Sequence, residues 1–184
     1  DSLRVSDEDL FRVMQVAART GACVMVHAEN GDAIEVLMAD AIAAGNTAPI
    51  YHALTRPPEL EGEATNRAIQ LAHVAGAPLY VVHVSCEESL EPIQLARKKG
   101  WDVWGETCTQ YFFIDESFLE RLENFEAANY VYTPPPRPKR NQEILWNAVR
   151  TNELQAISTD HCGYTLEQKA LGKMGMVRRR RIPL

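Results

Sequence analysis

The stretch Ala-Cys-Val-Met-Val-His-Ala-Glu-Asn, residues 22–30, contains an unbroken apolar run from Ala22 to Val26. A short run of this kind, without polar alternation, is typical of a strand buried on both faces of a parallel sheet. His27 follows directly and would lie at the carboxyl end of that strand. The stretch therefore predicts an α/β fold with a ligand-type side chain at the end of the sheet where α/β enzymes place their chemistry.

Two further apolar runs repeat this arrangement. Pro78–Val82 precedes His83, and Leu154–Thr159 precedes Asp160. Because the carboxyl ends of parallel strands meet at one end of a sheet, the three polar side chains are predicted to converge. Imidazole nitrogens and a carboxylate oxygen suit a divalent metal such as zinc. The separations of 56 and 77 residues exclude a local zinc finger. On this pattern alone, a metal site and a set of structural residues are both open interpretations.

Helical connections are predicted between the strands. The predicted helices follow Ser6, run through Ile34–Ala41, and span about Gly62–Ala75, Ser89–Lys99 and Asn141–Asn152, the last with Asn141 as its N-cap. A further strand, Trp101–Glu106, ends without a histidine. Ile50–Pro58 is too rich in proline for extended regular structure, and Asp115–Ala128 is a helical excursion. The crossover rule then predicts adjacent parallel strands with helices on one face of the sheet.

Charge and cysteine content narrow the function classes. The net charge is −6, and residues 1–177 hold 15 cations against 25 acids because four of the 19 cations form Arg178–Arg181. An acidic body argues against nucleic acid or an anionic membrane as the main partner. Without a long apolar span or an opening signal peptide, we expect a cytoplasmic protein. The four cysteines form no Cys-x-x-Cys pair, so we expect reduced, buried and inert thiols.

The three other histidines are assigned by their surroundings in the sequence. His52 lies in a proline-rich segment and His73 on a predicted helix, and both are predicted to be structural. His161 adjoins Asp160, so a part in orienting substrate or supporting the metal ligands stays open.

Seven short motifs carry a resemblance to a known family. They are His27–Gly31, Tyr51–Ala53, Thr55–Pro58, Glu61–Thr65, Val82–Ser85, Gly105–Cys108 and Ser158–Cys162. In this order and at these separations, from about Ser6 to Gly172, they resemble the dihydropyrimidinase and D-hydantoinase family of cyclic amidohydrolases. The resemblance implies a TIM-type (β/α)8 barrel. Residues 1–173 would form the C-terminal half of that barrel, a partial barrel holding strands five to eight with their helices.

The resemblance also implies a metal centre. The family holds two metal ions, usually zinc, with an N-terminal His-x-His pair, a carbamylated lysine, two later histidines and an aspartate. His27 and His83 correspond to the later histidines and Asp160 to the aspartate, while Thr133 falls where the family has a serine whose main chain contacts substrate. The chain has no His-x-His pair, and by family spacing the lysine would precede Asp1. We therefore expect an internal segment that is inactive alone.

The activity implied by the resemblance is hydrolytic opening of a dihydropyrimidine or hydantoin ring to the N-carbamoyl amino acid, as in pyrimidine catabolism. The metals would activate a water molecule, Asp160 would carry its proton, and no organic cofactor is expected. The partners would be a small cyclic amide and further subunits of a homotetramer or dimer. The alternatives are a dihydropyrimidinase-like scaffold protein without catalysis, or a related ring opener such as allantoinase or dihydroorotase. Glu29–Gly31 and Arg56–Pro58 favour the pyrimidine and hydantoin branch.

The last segment, residues 174–184, departs from the family pattern and contains the basic run Arg178–Arg181. We treat it as an atypical tail, either an artefact of truncation or reading frame or a basic segment that binds a partner.

Overall fold

The computed structural model describes residues 4–120, 123–165 and 167–170. It contains one parallel sheet of four strands: β1 Val24–Val26, β2 Leu79–Val81, β3 Val103–Cys108 and β4 Ala156–Ser158. The strands lie side by side in chain order. This confirms the predicted α/β fold with adjacent parallel strands. The predicted tail, 174–184, lies outside the described residues.

Helices connect the strands in the expected alternation. They are α1 Asp7–Thr20, α2 Gly31–Ala43, α3 Ile50–Leu54, α4 Pro58–Ala75, α5 Glu87–Lys98 and α6 Arg140–Arg150. Three 3₁₀ segments, Thr109–Phe112, Glu116–Glu120 and Glu123–Tyr130, lie between β3 and α6. The two later 3₁₀ segments account for the predicted helical excursion. No helix within the described ranges has the length and apolar character needed to cross a membrane.

The two faces of the sheet differ in burial. Alternate residues of the strands, among them Val24, Leu79, Val81 and Val103, are buried in the core beneath the helices. The opposite face, here called the bare face, consists of Met25, Tyr80 and Trp104, which are neighbours in the strand register. Met25 is 65% exposed and Trp104 is 43% exposed. In the described part of the chain, helices therefore cover one face of the sheet, as predicted.

The sheet is staggered along its strands. Val103 at the start of β3 pairs with Leu79, whereas β4 pairs with the later half of β3, from Glu106↔Ala156 to Cys108↔Ser158. Strands β1, β2 and β3 begin level with one another, whereas β4 is displaced toward the carboxyl end of β3. A stagger between neighbouring strands is one feature that a sheet needs in order to curl into a barrel.

Local signals explain several element boundaries. Ser6 caps α1 by accepting a hydrogen bond from the Asp9 amide at 3.1 Å, and Gly21 ends it with φ +74°. Helix α4 begins at Pro58, four residues before the predicted start. Proline is well suited to the first turn of a helix, where its missing amide hydrogen is not needed. Ile50–Pro58 was predicted to lack extended regular structure, but its last residue begins this helix.

Two sequence predictions of local structure were wrong. Strand β3 spans Val103–Cys108, because the Trp101 amide still donates to the Ala96 carbonyl of α5 at 3.1 Å instead of bonding in the sheet. Asn141 does not cap its own helix, which has Lys139 at the N-cap. Its buried side-chain oxygen instead accepts a hydrogen bond from the amide of Glu87 at 2.9 Å and so caps α5.

Candidate active site

The first two predicted ligands meet at the carboxyl ends of neighbouring strands. His27 directly follows β1 and His83 lies two residues after β2. The Nδ1 atom of His27 lies 2.9 Å from Nε2 of His83. The ring centroids are 4.6 Å apart and the planes meet at 72°. The structure therefore brings together two histidines that are separated by 56 residues.

Glu29 orients the ring of His27, a function that the sequence analysis missed. Its Oε2 atom lies 2.9 Å from Nε2 of His27. A carboxylate can only accept here, so Nε2 carries the proton and Nδ1 presents its lone pair toward His83. Pairs of a carboxylate and a histidine commonly fix metal-binding imidazoles in this way. The position of a glutamate two residues after the histidine is the only sequence signal for it.

His83 and Asp160, the two later predicted ligands, have unusual backbone conformations. His83 has φ +44° and Asp160 has φ +43°. Residues other than glycine rarely adopt this left-handed region, which costs about 1–3 kcal/mol and concentrates at functional sites. A left-handed residue bends the chain at the end of its strand and redirects its side chain. The two positions that sequence reasoning selected are therefore also two of the three left-handed positions other than glycine in the described residues.

The electrostatics of His83 suit a metal ligand. The residue is only 5% exposed. Burial lowers its pKa, the neighbouring His27 lowers it further, and Glu61 and Asp160 partly oppose them. The imidazole is therefore neutral near pH 7, which is the form that binds metals. Asp160, the third predicted ligand, lies two residues after β4.

The histidine pair fits part of a metal centre. Two nitrogens bound to one tetrahedral zinc lie about 3.3 Å apart, so the observed pair would need to separate by only a few tenths of an ångström. The Oε1 atom of Glu29 is buried beside this pair without a hydrogen-bond partner in the described residues. Within those same residues, however, no three His, Cys, Asp or Glu side chains are grouped to hold an ion. The chain thus supplies the two histidines as a preformed pair, and the grouping of Asp160 with them stays a prediction.

A second group of residues surrounds Thr133, the predicted substrate contact. His52 lies between Arg56 and the Tyr132–Thr133 segment. Its Nε2 atom donates to the Tyr132 carbonyl at 2.9 Å and lies 3.2 Å from Thr133 Oγ1. Its Nδ1 atom accepts from Arg56 at 3.1 Å. These bonds define one neutral tautomer, and they tie the Thr133 segment to α3.

The charge state of His52 leads to a prediction on acid stability. Burial, followed by Arg56, lowers the pKa of His52 from 6.5 to about 3. The unfolded chain therefore binds the extra proton first, and stability falls as the pH drops from 6.5 toward 3. We expect the stability advantage of wild type over His52→Gln to shrink by as much as about 1.4 kcal/mol per pH unit in this range. Urea unfolding at several pH values measures it, and parallel stability curves would contradict it.

Buried charges contact Ser85, which follows His83 by two residues. Glu61 in the first turn of α4 and Arg137 form an ion pair at 2.7 Å, and each side chain is 3% exposed. Ser85 joins both, because its amide donates to Glu61 Oε1 at 3.0 Å and its Oγ accepts from Arg137 Nε at 2.9 Å. In the sequence, Glu61 and Ser85 stand out only as members of the family motifs, and no sequence pattern singles out Arg137. We call these three residues the buried triad.

The remaining predictions concern thiols and histidines. The four cysteines are free, as expected, but only Cys86 and Cys108 are buried, whereas Cys23 and Cys162 are exposed. Burial raises the pKa of Cys108 to about 11 and that of Cys86 well above its usual value. These two thiols are therefore protonated and unreactive. His161 is exposed beside Asp160.

Comparison with known proteins gives strong matches over part of their length. D-hydantoinase from Geobacillus stearothermophilus is 54% identical over 174 residues, which are 94% of this chain and 37% of that protein. Dihydropyrimidinase from Arabidopsis thaliana is 44% identical over 171 residues, which are 93% of this chain and 32% of that protein. No family model matches the chain.

A solved structure extends the similarity to the fold. The crystal structure of dihydropyrimidinase from Brevibacillus agri superposes with a TM-score of 0.91 at 52% identity, over 93% of this chain and 37% of that one. These matches confirm the resemblance that the motifs indicated. The chain spans about a third of the length of the curated relatives it matches.

Proposed function

Since the chain is similar to D-hydantoinases and dihydropyrimidinases over about a third of their length, we propose that it is part of a metal-dependent hydrolase of cyclic amides. The substrate would be a dihydropyrimidine or a hydantoin, and the product the corresponding N-carbamoyl amino acid. The observation that carries the proposal is the preformed pair of His27 and His83 in a chain with this similarity. In the proposed assembly the enzyme is a cytoplasmic homotetramer or dimer.

The proposal places this chain as strands five to eight of an eight-stranded barrel. Three features support that placement. The sheet is parallel, β4 is staggered relative to β3, and the bare face of Met25, Tyr80 and Trp104 is the face that a closed barrel would turn inward. Tyr80 already donates a hydrogen bond to Glu106 at 2.9 Å on this face, and Ser158 donates to the same carboxylate at 2.9 Å. Polar cross-strand bonds of this kind would hold β2, β3 and β4 together near the site.

The metal ligands in this chain would be His27, His83 and Asp160, with the remaining ligands supplied from outside residues 1–184. The bound metal, two zinc ions in the proposed enzyme, would supply Lewis-acid activation of a water molecule and of the ring carbonyl. Glu29 would keep the lone pair of His27 Nδ1 free for coordination by holding the proton on the opposite nitrogen. Burial of His83 would keep that ring neutral and ready to bind.

Asp160 would act as the proton carrier. As the water oxygen forms its bond to the ring carbonyl carbon, the carboxylate would accept the water proton. When the carbon–nitrogen bond of the ring breaks, the same proton would pass to the leaving nitrogen. A positioned acid–base group of this kind contributes about 10²- to 10⁴-fold to a rate. The exposed position of Asp160 at the end of β4 leaves it open to a substrate that approaches from this side of the sheet.

Thr133 would contact the substrate ring through its main chain. The hydrogen bond from His52 to the Tyr132 carbonyl is the structural support for this assignment, because it fixes the peptide unit that joins Tyr132 to Thr133. Side-chain identity matters little for a main-chain contact.

Ring opening tests the proposal directly. The protein containing this chain is purified, and loss of ultraviolet absorbance is followed with dihydrouracil and with hydantoin. We expect turnover that a chelator abolishes and that added zinc restores. Absence of turnover with both rings in a zinc-loaded protein would contradict the proposal and would favour the scaffold alternative.

A further inference from the structure

The buried triad links three segments that are distant in the chain. Glu61 belongs to α4, Ser85 follows His83 by two residues, and Arg137 lies in the segment that follows Thr133. Arg137 donates through Nη1 to the carbonyl of Arg56, and its Nη2 reaches Glu61 at 2.7 Å. The hydroxyl of Ser85 also donates to Glu61 Oε2. Every charged group of the triad is thus hydrogen-bonded, although the side chains are almost fully buried.

Stability alone does not explain a buried ion pair. Removing two charges from water is unfavourable for each ion, and well-packed apolar residues of the same volume often stabilise a fold as well or better. Burial by itself would raise the pKa of Glu61, yet Arg137 and the bonds from Ser85 hold it below its usual value. Glu61 therefore stays ionised, and the bonds that keep it ionised also determine where the Ser85 backbone lies.

The backbone beside the triad is the part that needs support. His83 has φ +44°, a conformation that persists only where the surrounding structure over-determines it. Val84 is held by β3, since its amide donates to Glu106 at 2.8 Å and its carbonyl accepts from Thr107 Oγ1 at 2.7 Å. Ser85 is held by Glu61 through both its amide and its hydroxyl. Of the two residues after His83, Val84 is therefore held by β3 and Ser85 by Glu61 of α4.

We propose that Glu61, Ser85 and Arg137 are positioning residues that hold His83 in its left-handed conformation and so keep its imidazole against His27. The proposal rests on the proposed function for the identity of the bound metal. It adds that the position of His83, at the end of β2, depends on the ion pair between Glu61 and Arg137. Through Arg137, the same pair connects His83 to the segment that carries Thr133.

The decisive variant removes the charges without leaving one unpaired. In Glu61→Gln/Arg137→Met, the glutamine oxygen can still accept the Ser85 amide, but no guanidinium locks it in place. We expect a folded protein whose zinc dissociation constant, measured by competition with a chromophoric chelator, rises about 10- to 100-fold. We also expect amide exchange at Ser85 in the metal-free protein to become about tenfold faster. Arg140→Met, the same change at an exposed ion-paired arginine three residues away, should change neither quantity.

Ser85→Ala provides the same measurements if the double variant does not fold. It removes only the hydroxyl between the two charges, and zinc binding and Val84–Ser85 exchange should shift in the same direction. A folded double variant, or a folded Ser85→Ala protein, in which both quantities equal those of wild type would overturn the positioning proposal. If the wild-type protein binds no zinc, the proposed function fails, and amide exchange in the metal-free protein alone decides whether the triad positions His83.

Discussion

Replacing Asp160 by alanine in the protein that contains this chain is expected to lower kcat for ring opening by about 10²- to 10⁴-fold. The reason is that, in the proposed function, the Asp160 carboxylate takes the water proton and returns it to the ring nitrogen, and alanine has no group that can do so. Asp160→Asn separates the two functions of this side chain. It keeps an oxygen for the metal but cannot accept a proton, so kcat should fall while most of the bound zinc is retained.

A matched control is available on the same sheet. Asp102 lies before β3, at the opposite end of the strands, where its carboxylate accepts a hydrogen bond from Trp104 at 2.7 Å. Asp102→Ala should leave kcat for dihydrouracil and hydantoin unchanged. Initial rates with both rings and metal content by elemental analysis are the measurements. An Asp160→Ala enzyme with undiminished kcat would show that the proton carrier has been assigned to the wrong residue.

A large loss of stability is expected when a single methyl group is added between α4 and α5. A Cβ atom at Gly62 would lie 2.5 Å from the Glu88 carbonyl oxygen and 2.9 Å from its carbonyl carbon. These are backbone atoms of a packed helix and cannot move aside like the end of a side chain. We expect Gly62→Ala to lower the free energy of unfolding by about 3 kcal/mol, measured by denaturant titration.

Gly31 provides the control for this substitution. It is also helical, but a Cβ there meets only the side chain of Arg4, whose Cδ is 2.9 Å away. Arg4 is partly exposed and can rotate away. Gly31→Ala should therefore change stability by less than about 1 kcal/mol. Equal effects of the two substitutions would show that the helices separate easily at this contact.

Much of the fold and the histidine pair followed from local pattern. The apolar runs before His27 and His83 can each be recognised from a few consecutive residues. Neighbouring parallel strands place their carboxyl ends together, whatever sequence connects them. The motif resemblance added the barrel interpretation and the assignment of Thr133. Asp160 was found by the same reasoning, although its part in binding metal stays a prediction.

The missed features depend on tertiary contacts that no local pattern encodes. Arg137 pairs with Glu61 across 76 residues, and nothing near either one indicates the partner. Asparagine is a residue type that often caps its own helix. The side chain of Asn141 instead accepts a hydrogen bond from the amide of Glu87 on another helix, because the two helix ends lie side by side. The start of β3 differs from the prediction because the Trp101 amide is bonded to the Ala96 carbonyl of α5.

The strand order has a consequence for the time at which the site forms. Since each strand pairs with the one made just before it, β1, β2 and β3 can assemble in the order of synthesis on the ribosome. The ion pair behind His83 cannot close until Arg137 has emerged, more than fifty residues after that histidine. During this interval the chain already carries both histidines but lacks the contact that fixes the second. A nascent chain stalled before Arg137 should therefore capture zinc more weakly than one stalled after it.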